Sequence, residues 1–133
     1  MTARRESLLG LRLLIADDDP LNNIVNRKFL ELAGAEVHCV EDGAQAIELL
    51  SRSSYDAVLM DLEMSRMDGY EATNRIRRGD AGDDRRQVPI IAVTAHATQD
   101  YLDRAIRSGA NLCLTKPFNA ETLYKRVEDA TGR

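Results

Sequence analysis

Polar and charged side chains that could bind a metal ion and a phosphate follow four of five apolar segments in the sequence. Asp17 and Asp18 come directly after the first segment, and Asp61 ends the third. Thr94 ends the fourth, and Lys116 follows the fifth. In an open parallel α/β sheet, ligands bind beyond the carboxyl ends of the strands, so we expect these side chains to face one crevice. Each alone could be structural, as a helix cap or a surface charge, and their joint placement favours a functional site.

The chemistry of such a crevice follows from its charges. Three carboxylates held together repel one another, and a divalent cation relieves that cost. Oxygen ligands without histidine or thiolate favour a hard cation, so we predict Mg²⁺, with Mn²⁺ as an alternative. Because Mg²⁺ is usually held by one or two carboxylates together with phosphate oxygens, the site implies a phosphoryl group. Lys116 would supply a positive charge, Thr94 a hydroxyl donor and Asp61 a nucleophilic carboxylate.

Composition places the chain among ordinary globular proteins. The sequence has 133 residues, a net charge of -4 and 44% hydrophobic residues, which predicts one domain with a real core. The arginines between residues 75 and 86 alternate with acids, so no nucleic-acid surface is expected. Cys39 and Cys113 are interpreted as small buried hydrophobes without disulfide or metal spacing. Arginine and acids interrupt the apolar stretch near the N-terminus, so we predict no signal peptide, no membrane insertion and a cytoplasmic location.

The elements that must position the site alternate along the chain. Apolar runs predict five buried strands at 12–16, 36–40, 57–61, 90–94 and 112–115. Helical spacing, capping acids and glycine stops predict helices near 20–33, 44–50, 69–78, 98–108 and 120–130. Strands without alternation, each followed by a helix, indicate a parallel sheet covered on both faces. We predict an exposed, mobile loop at 79–87, an N-terminal tail at 1–10, one domain at 11–130 and a C-terminal tail at 131–133.

Four motifs carry a family resemblance. In order and spacing, LLIADDDPLN, VLMDLEMSRMDG, VTAHA and LTKPF resemble the receiver domains of two-component response regulators, from about Leu11 to Val127. The resemblance implies a flavodoxin-like (βα)₅ fold, a three-layer sandwich with a parallel sheet of strand order 2-1-3-4-5. It also implies a phosphoacceptor rather than an enzyme, apart from self-catalysed phosphoryl acceptance and slow autodephosphorylation.

The resemblance also implies roles for individual residues. Asp61 would accept a phosphoryl group from a phosphohistidine of a histidine kinase or a histidine phosphotransfer protein. Asp18, Asp61 and the backbone carbonyl of Glu63 would bind Mg²⁺ directly, and Asp17 would act mostly through water. Lys116 would pair with the phosphoryl group, and the Lys116–Pro117 peptide is expected to be cis.

A switch is implied as well. Thr94 would move toward the aspartyl phosphate with the Ala95 loop and helix four, changing contacts with a downstream protein through helix four, strand five and helix five. Glu63 and His96 occupy positions that tune phosphoryl loss to water, whereas His38 is interpreted as structural. The sequence departs from the family pattern twice. Ser65 replaces a common proline, so we expect a less rigid loop, and Cys113 replaces an aromatic, so the signal is expected to run through the Thr94 loop and helix four alone.

Other functions stay open. A phosphohydrolase of the haloacid-dehalogenase type would use Asp17 and Asp19, but Pro20 opens a helix directly afterwards, no cap domain is present and Asp61 would have no role. A pseudo-receiver that serves only for interaction is disfavoured because no acceptor, metal or lysine position is missing. Nucleotide binding is disfavoured because no glycine-rich loop follows the first strand. Whether the chain is a single-domain regulator or the receiver of a hybrid kinase is not decided, although the VTAHA and LTKPF motifs favour the latter.

Overall fold

A computed structural model describes residues 6–133 of the chain. Over this range strands and helices alternate as β1 (Arg12–Ala16), α1 (Pro20–Leu32), β2 (Glu36–Val40), α2 (Gly43–Arg52), β3 (Ala57–Asp61), α3 (Gly69–Arg77), β4 (Ile90–Thr94), α4 (Gln99–Ser108), β5 (Leu112–Thr115) and α5 (Ala120–Thr131). A single turn of 3₁₀-helix, Asp83–Arg85, lies between α3 and β4.

The strands form one parallel sheet in the order β2-β1-β3-β4-β5, which confirms the predicted flavodoxin-like fold. Its register aligns the ends of the strands. Ala16 of β1 pairs with Met60 of β3, so the residues that follow, Asp17 and Asp61, emerge side by side. Thr94 of β4 pairs with Thr115 of β5, which places Lys116 at the same edge.

Both faces of the sheet are buried. Alternate strand residues, among them Leu14, Val58, Met60 and Ile90, pack against one helical layer. Their neighbours, including Leu13, Ile15, Leu59 and Ile91, pack against the other. Double-sided burial explains why the strands are continuous apolar runs.

Polar residues at the strand-to-helix junctions cap the helices. The Asp19 carboxylate accepts a hydrogen bond from the Leu21 N–H at 2.9 Å, with Pro20 opening α1 as predicted. Asp42, Asp68 and Asn119 cap α2, α3 and α5 in the same way. Helix α3 ends one residue earlier than predicted and α4 begins one residue later, because Thr98 is the N-cap of α4.

The apolar periodicity of α1 predicted the helix but not its burial. Leu30 is fully buried, whereas Leu21, Ile24 and Leu32 are 65%, 64% and 51% exposed. The α1 surface therefore carries apolar side chains that no described part of the chain covers.

Part of the predicted mobile loop is anchored. Ala81 is buried, and the Arg77 guanidinium donates to the backbone oxygens of Arg86 and Gly109 at 2.7 and 2.9 Å. It also donates to the Asn111 Oδ1 at 2.9 Å. Burial lowers the pKa of Arg77 from its ordinary value. Arg77 thus connects the end of the loop to the segment between α4 and β5. Most of the loop is exposed as predicted, whereas Ala81 is buried.

The predicted division into tails and domain stays a prediction, but two features bear on its limits. Leu8, within the predicted tail, is fully buried, and its N–H donates to the Ala33 carbonyl oxygen at 3.1 Å. Helix α5 continues one residue into the predicted C-terminal tail.

Residues 1–5 lie outside the described range, and none of the helices in residues 6–133 is long and apolar enough to cross a membrane. Cys39 and Cys113, which were interpreted as buried, are only half-buried.

Candidate functional site

Asp61 lies at the centre of the convergent strand ends. It is 2% exposed, and both of its carboxylate oxygens accept hydrogen bonds. Lys116 Nζ donates to Oδ2 at 2.8 Å, and the Glu63 N–H donates to Oδ1 at 3.0 Å. Lys116 Nζ also lies 4.0 Å from Asp17 Oδ2. The predicted acceptor and the predicted phosphate-pairing lysine are therefore in direct contact.

The acids form a cluster of the size that one cation needs. Carboxylate oxygens of Asp17, Asp18 and Asp61 all lie within 4.8 Å of one another. Asp17 and Asp61 are buried, whereas Asp18 is exposed. Their oxygens are the donors that hard divalent cations prefer, so these residues fit Mg²⁺. The Glu63 carbonyl remains a predicted further ligand.

Burial and neighbouring charges perturb two titratable groups here. Burial raises the pKa of Asp17 above its ordinary value of 3.8, and the Asp61 charge adds to the rise, while a hydrogen bond from the Asp19 N–H opposes it. For Lys116, burial acts to lower the pKa, but the hydrogen bond and charge of Asp61 outweigh it and the pKa is raised. Lys116 is therefore protonated at neutral pH.

Asp17→Asn should stabilise the metal-free protein at neutral pH. Because the folded state holds the Asp17 proton more tightly than the unfolded chain, ionising Asp17 costs stability. That cost is absent below pH 3.8 and grows as the pH rises through the raised pKa. We expect the variant to melt at a higher temperature than the wild type at pH 7, with the difference shrinking toward pH 4.

The same variant should respond less to metal. Mg²⁺ added at pH 7 should raise the melting temperature of the wild type through binding to the folded state, and this rise should be largely lost in Asp17→Asn. Differential scanning calorimetry, first without MgCl₂ and then at MgCl₂ concentrations raised in 10-fold steps, measures the metal-free melting temperatures and their response to Mg²⁺. An equal response to Mg²⁺ in the two proteins would contradict a role of Asp17 in the metal site.

The predicted switch residues form a hydrogen-bonded chain beside Asp61. Thr94 is fully buried, and its Oγ1 donates to Glu63 Oε2 at 2.9 Å. The Ala95 N–H donates to Glu63 Oε1 at 3.3 Å. The His96 N–H donates to Thr94 Oγ1 at 3.0 Å, and the His96 ring stacks on Tyr101 of α4 with centroids 4.3 Å apart. The carboxylate contacts of Glu63 were not predicted, although Glu63 follows Asp61 by only two residues.

Ser65 contributes a contact that the family's common proline could not make. Its N–H donates to Asp18 Oδ2 at 2.9 Å, and proline has no N–H. The departure at this position therefore adds a hydrogen bond between the loop and a predicted metal ligand, where the sequence alone suggested a loss of rigidity.

The other residues predicted from the sequence make separate contacts. The Lys116–Pro117 peptide is cis. Cys113 packs partly buried against the core; burial raises the pKa of its thiol, and the Arg126 charge opposes that rise. Arg126 also donates to the Cys113 carbonyl oxygen at 3.0 Å. His38 contacts Tyr55, with Nδ1 2.6 Å from the phenolic oxygen, in keeping with a structural interpretation.

A groove adjoins the site on the α1 side. It encloses about 320 Å³ between α1 and the segment after β5. Lys116, which contacts Asp61, forms part of its wall together with Leu21, Asn22, Val25, Asn26, Pro117 and Phe118. The exposed apolar surface of α1 is therefore continuous with the acidic centre.

Comparison with known proteins agrees with this geometry. A family model described as the response regulator receiver domain matches residues 13–128. The chain is 39% identical over 121 residues to the sensor protein GacS of Pseudomonas syringae pv. syringae, covering 91% of this chain and 13% of that protein. It is 37% identical over 139 residues to probable histidine kinase 6 of Oryza sativa subsp. japonica, covering 92% and 14%. The chain thus spans about one seventh of these curated relatives.

Solved structures show the same fold. The receiver domain of the sensor histidine kinase PA1611 from Pseudomonas aeruginosa PAO1, described with a magnesium ion coordinated in its active site cleft, superposes with a TM-score of 0.84 at 38% identity, covering 93% of this chain and 99% of that one. A response regulator from Chloroflexus aurantiacus superposes with a TM-score of 0.86 at 29% identity, covering 92% and 98%. With the family model spanning nearly all of the ordered strands and helices, the chain belongs to the response regulator receiver domains, the phosphoacceptor signalling modules of two-component systems.

Proposed function

We propose that Asp61 accepts a phosphoryl group from the phosphohistidine of a histidine kinase or histidine phosphotransfer protein. The observation that carries the proposal is the 2.8 Å contact between Lys116 Nζ and Asp61 Oδ2 within a cluster of three carboxylates. A lysine bonded to a buried carboxylate, beside acids suited to a hard cation, supplies what phosphoryl transfer mainly requires: positioning and charge neutralisation.

In this mechanism a carboxylate oxygen of Asp61 attacks phosphorus, the bond to the histidine nitrogen breaks, and the electron pair leaves with the imidazole ring. Mg²⁺, or Mn²⁺ in its place, would neutralise charge on the phosphoryl oxygens when bound by Asp18, Asp61 and the Glu63 carbonyl, with Asp17 acting through water. Lys116 moves from Asp61 alone to the phosphoryl group. Later loss of that group to water is slow and needs no further substrate, and Glu63 and His96 set its rate.

The phosphorylated state acts through altered protein contacts. Thr94 and Ala95 shift toward the new phosphoryl group, and α4 follows through the stacking of His96 on Tyr101. Cys113 takes no part in this coupling. Helix α4 already presents Tyr101 and Ile106, which are 39% and 49% exposed, so a face built from α4, β5 and α5 offers apolar contacts to a downstream protein. A net charge of -4 argues against direct contact with nucleic acid.

The decisive experiment is intact mass spectrometry of the wild type after incubation with acetyl phosphate, with and without Mg²⁺. We expect one phosphoryl adduct per chain that requires Mg²⁺, and tandem fragmentation of the borohydride-reduced adduct should place it at Asp61. A folded protein that binds Mg²⁺ but forms no adduct would contradict the proposal and favour a pseudo-receiver.

The exposed face of α1 suits the phosphohistidine donor, because the groove beneath it shares Lys116 with the acceptor site. Val25 lines this groove and is 41% exposed. Val25→Glu should therefore slow transfer from a phosphorylated histidine phosphotransfer protein by about tenfold, the effect of losing one apolar contact at an interface. Acetyl phosphate needs no contact with Val25 to reach Asp61, so acceptance from it should be unchanged. Transfer of ³²P, followed by gel electrophoresis, measures the first rate.

Ile106→Glu is the matched control for Val25→Glu. Ile106 is similarly exposed but lies on α4, so this variant should accept the phosphoryl group from both donors at the rate of the wild type. Equal slowing in the two variants would show that added charge, rather than a contact of α1, determines the rate.

A further inference from the structure

The Glu63 side chain holds both donors that the phosphoryl group would need. Its two carboxylate oxygens accept from Thr94 Oγ1 and from the Ala95 N–H, at 2.9 and 3.3 Å. We propose that Glu63 is a positioning residue that competes with the phosphoryl oxygens for these donors and holds the Thr94 loop in its unphosphorylated arrangement. The inference rests on the proposed function, since it concerns the same aspartyl phosphate.

The number of available hydrogen-bond donors makes the Glu63-bound and phosphoryl-bound arrangements of the Thr94 loop mutually exclusive. A threonine hydroxyl has one hydrogen to donate and a backbone amide has one. The acceptor side of Thr94 Oγ1 is already used by the His96 N–H. Thr94 and Ala95 therefore cannot serve the Glu63 carboxylate and a phosphoryl group with full hydrogen bonds at the same time, so forming one set of contacts releases the other.

Charge acts in the same direction. A phosphoryl group on Asp61 would stand beside the Glu63 carboxylate, and like charges at such range repel. Glu63 is anchored close by, because its own N–H donates to Asp61 Oδ1 at 3.0 Å. Its side chain is nevertheless exposed, so once displaced the carboxylate is solvated by water. The Glu63 carboxylate thus favours the unphosphorylated arrangement of the Thr94 loop and can still be displaced by the phosphoryl group.

This arrangement predicts different effects on the binding of two ligands. Removing the carboxylate in Glu63→Ala frees both donors, so beryllofluoride, which mimics a phosphoryl group on Asp61, should bind more tightly at saturating Mg²⁺. We expect its dissociation constant to fall about fivefold, the size of one net hydrogen bond. Mg²⁺ alone should bind no more tightly than to the wild type, because a nearby negative charge has been lost.

A third readout needs no ligand. In the metal-free protein, amide hydrogen exchange at Ala95 should be faster in Glu63→Ala than in the wild type, because the acceptor of that N–H is gone. Its amide proton resonance should also move upfield. Glu63→Gln keeps the length of the side chain and one acceptor oxygen. Its beryllofluoride affinity and its Ala95 exchange rate should therefore lie between those of the wild type and Glu63→Ala.

Glu48→Ala is the control for net charge. Glu48 is exposed on α2, and its removal changes the charge of the protein equally without touching the site. We therefore expect beryllofluoride affinity and Ala95 exchange to stay at wild-type values.

The outcomes separate the two proposals. If the wild type binds beryllofluoride but Glu63→Ala binds it equally or more weakly, or if Ala95 exchange is unchanged, Glu63 does not compete and the inference is wrong. The same holds if Glu48→Ala gives the same gain. If the wild type binds no beryllofluoride in the presence of Mg²⁺, the proposed function fails and this inference fails with it.

Discussion

Asp61→Asn is expected to abolish phosphoryl uptake from acetyl phosphate and from a phosphohistidine donor, leaving no adduct in the intact mass spectrum. The amide is close in shape to the carboxylate but is a poor nucleophile, and it presents an NH₂ group where one of the two carboxylate oxygens stood. Those oxygens now accept from Lys116 and from the Glu63 N–H. The substitution therefore removes the attacking group, weakens the lysine contact and takes one ligand from the metal cluster, without a change in volume.

Asp68→Asn is the matched control. Asp68 caps α3 by accepting from the Glu71 N–H at 2.8 Å, a contact that asparagine can also make. This variant undergoes the same chemical change on the same loop and should still form one adduct per chain. An adduct of equal yield in Asp61→Asn would place the acceptor elsewhere.

Asp61→Asn and Asp17→Asn together test the phosphohydrolase alternative. That reaction would use Asp17 as the nucleophile, so turnover of a phosphate ester such as p-nitrophenyl phosphate would survive Asp61→Asn and disappear in Asp17→Asn. We expect no Mg²⁺-dependent turnover above the rate of slow aspartyl phosphate hydrolysis in any of the three proteins. Measurable turnover with that pattern would favour the hydrolase over the receiver function.

Gly69→Ala should cost about 3 kcal/mol of stability, at the upper end for overpacking, although alanine is by propensity the better helix former by about 1 kcal/mol. A Cβ on Gly69 would overlap the backbone oxygen of Asp61 and lie 2.8 Å from the Cα of Leu62. Both are backbone atoms at the end of a central strand, so they cannot move aside cheaply. Urea unfolding followed by circular dichroism should show a lower midpoint, and a more stable variant would refute the contact.

The effect of Gly69→Ala should extend to the site, because the atom that must yield belongs to Asp61 itself. We expect weaker Mg²⁺ binding and slower acetyl phosphate acceptance than in the wild type. Gly132→Ala is the comparison: Gly132 has a positive φ of 77° but no atom within 4 Å of an added Cβ. It should cost about 1 kcal/mol and leave Mg²⁺ binding unchanged.

The sequence was sufficient for the frame of the site and insufficient for its side-chain contacts. Apolar runs ending in Asp17, Asp61 and Thr94 were enough to place these residues at one edge, because parallel strands align their carboxyl ends. The Glu63 contact with Thr94 could not be predicted in this way. It depends on the register between β3 and β4 and on the direction of a flexible side chain, which spacing along one strand does not determine.

Burial was predictable for the central strands β3 and β4 and less so for surface helices. A strand between two helical layers has no exposed face, so every apolar residue of β3 and β4 is buried. A helix covers the sheet with one face only, and its remaining apolar residues, such as Ile24, were indistinguishable from core positions by periodicity. Leu8 was missed for the opposite reason, because a short apolar segment outside any repeating pattern gives no sign that it packs against the domain.

The hydrogen bond from the Ser65 N–H to Asp18 Oδ2 joins the loop after the acceptor to an acid of the metal cluster. Coupling free energies between two binding sites are reciprocal. If a bound cation draws Asp18 away from Ser65 and thereby changes the affinity of the loop for a partner, then binding of that partner changes the affinity for the cation by the same factor. A protein that docks near residue 65 would thereby adjust the readiness of Asp61 for phosphorylation without touching Asp61. A receiver with proline at this position has no such N–H, and its metal affinity would be insensitive to what holds the loop through this contact.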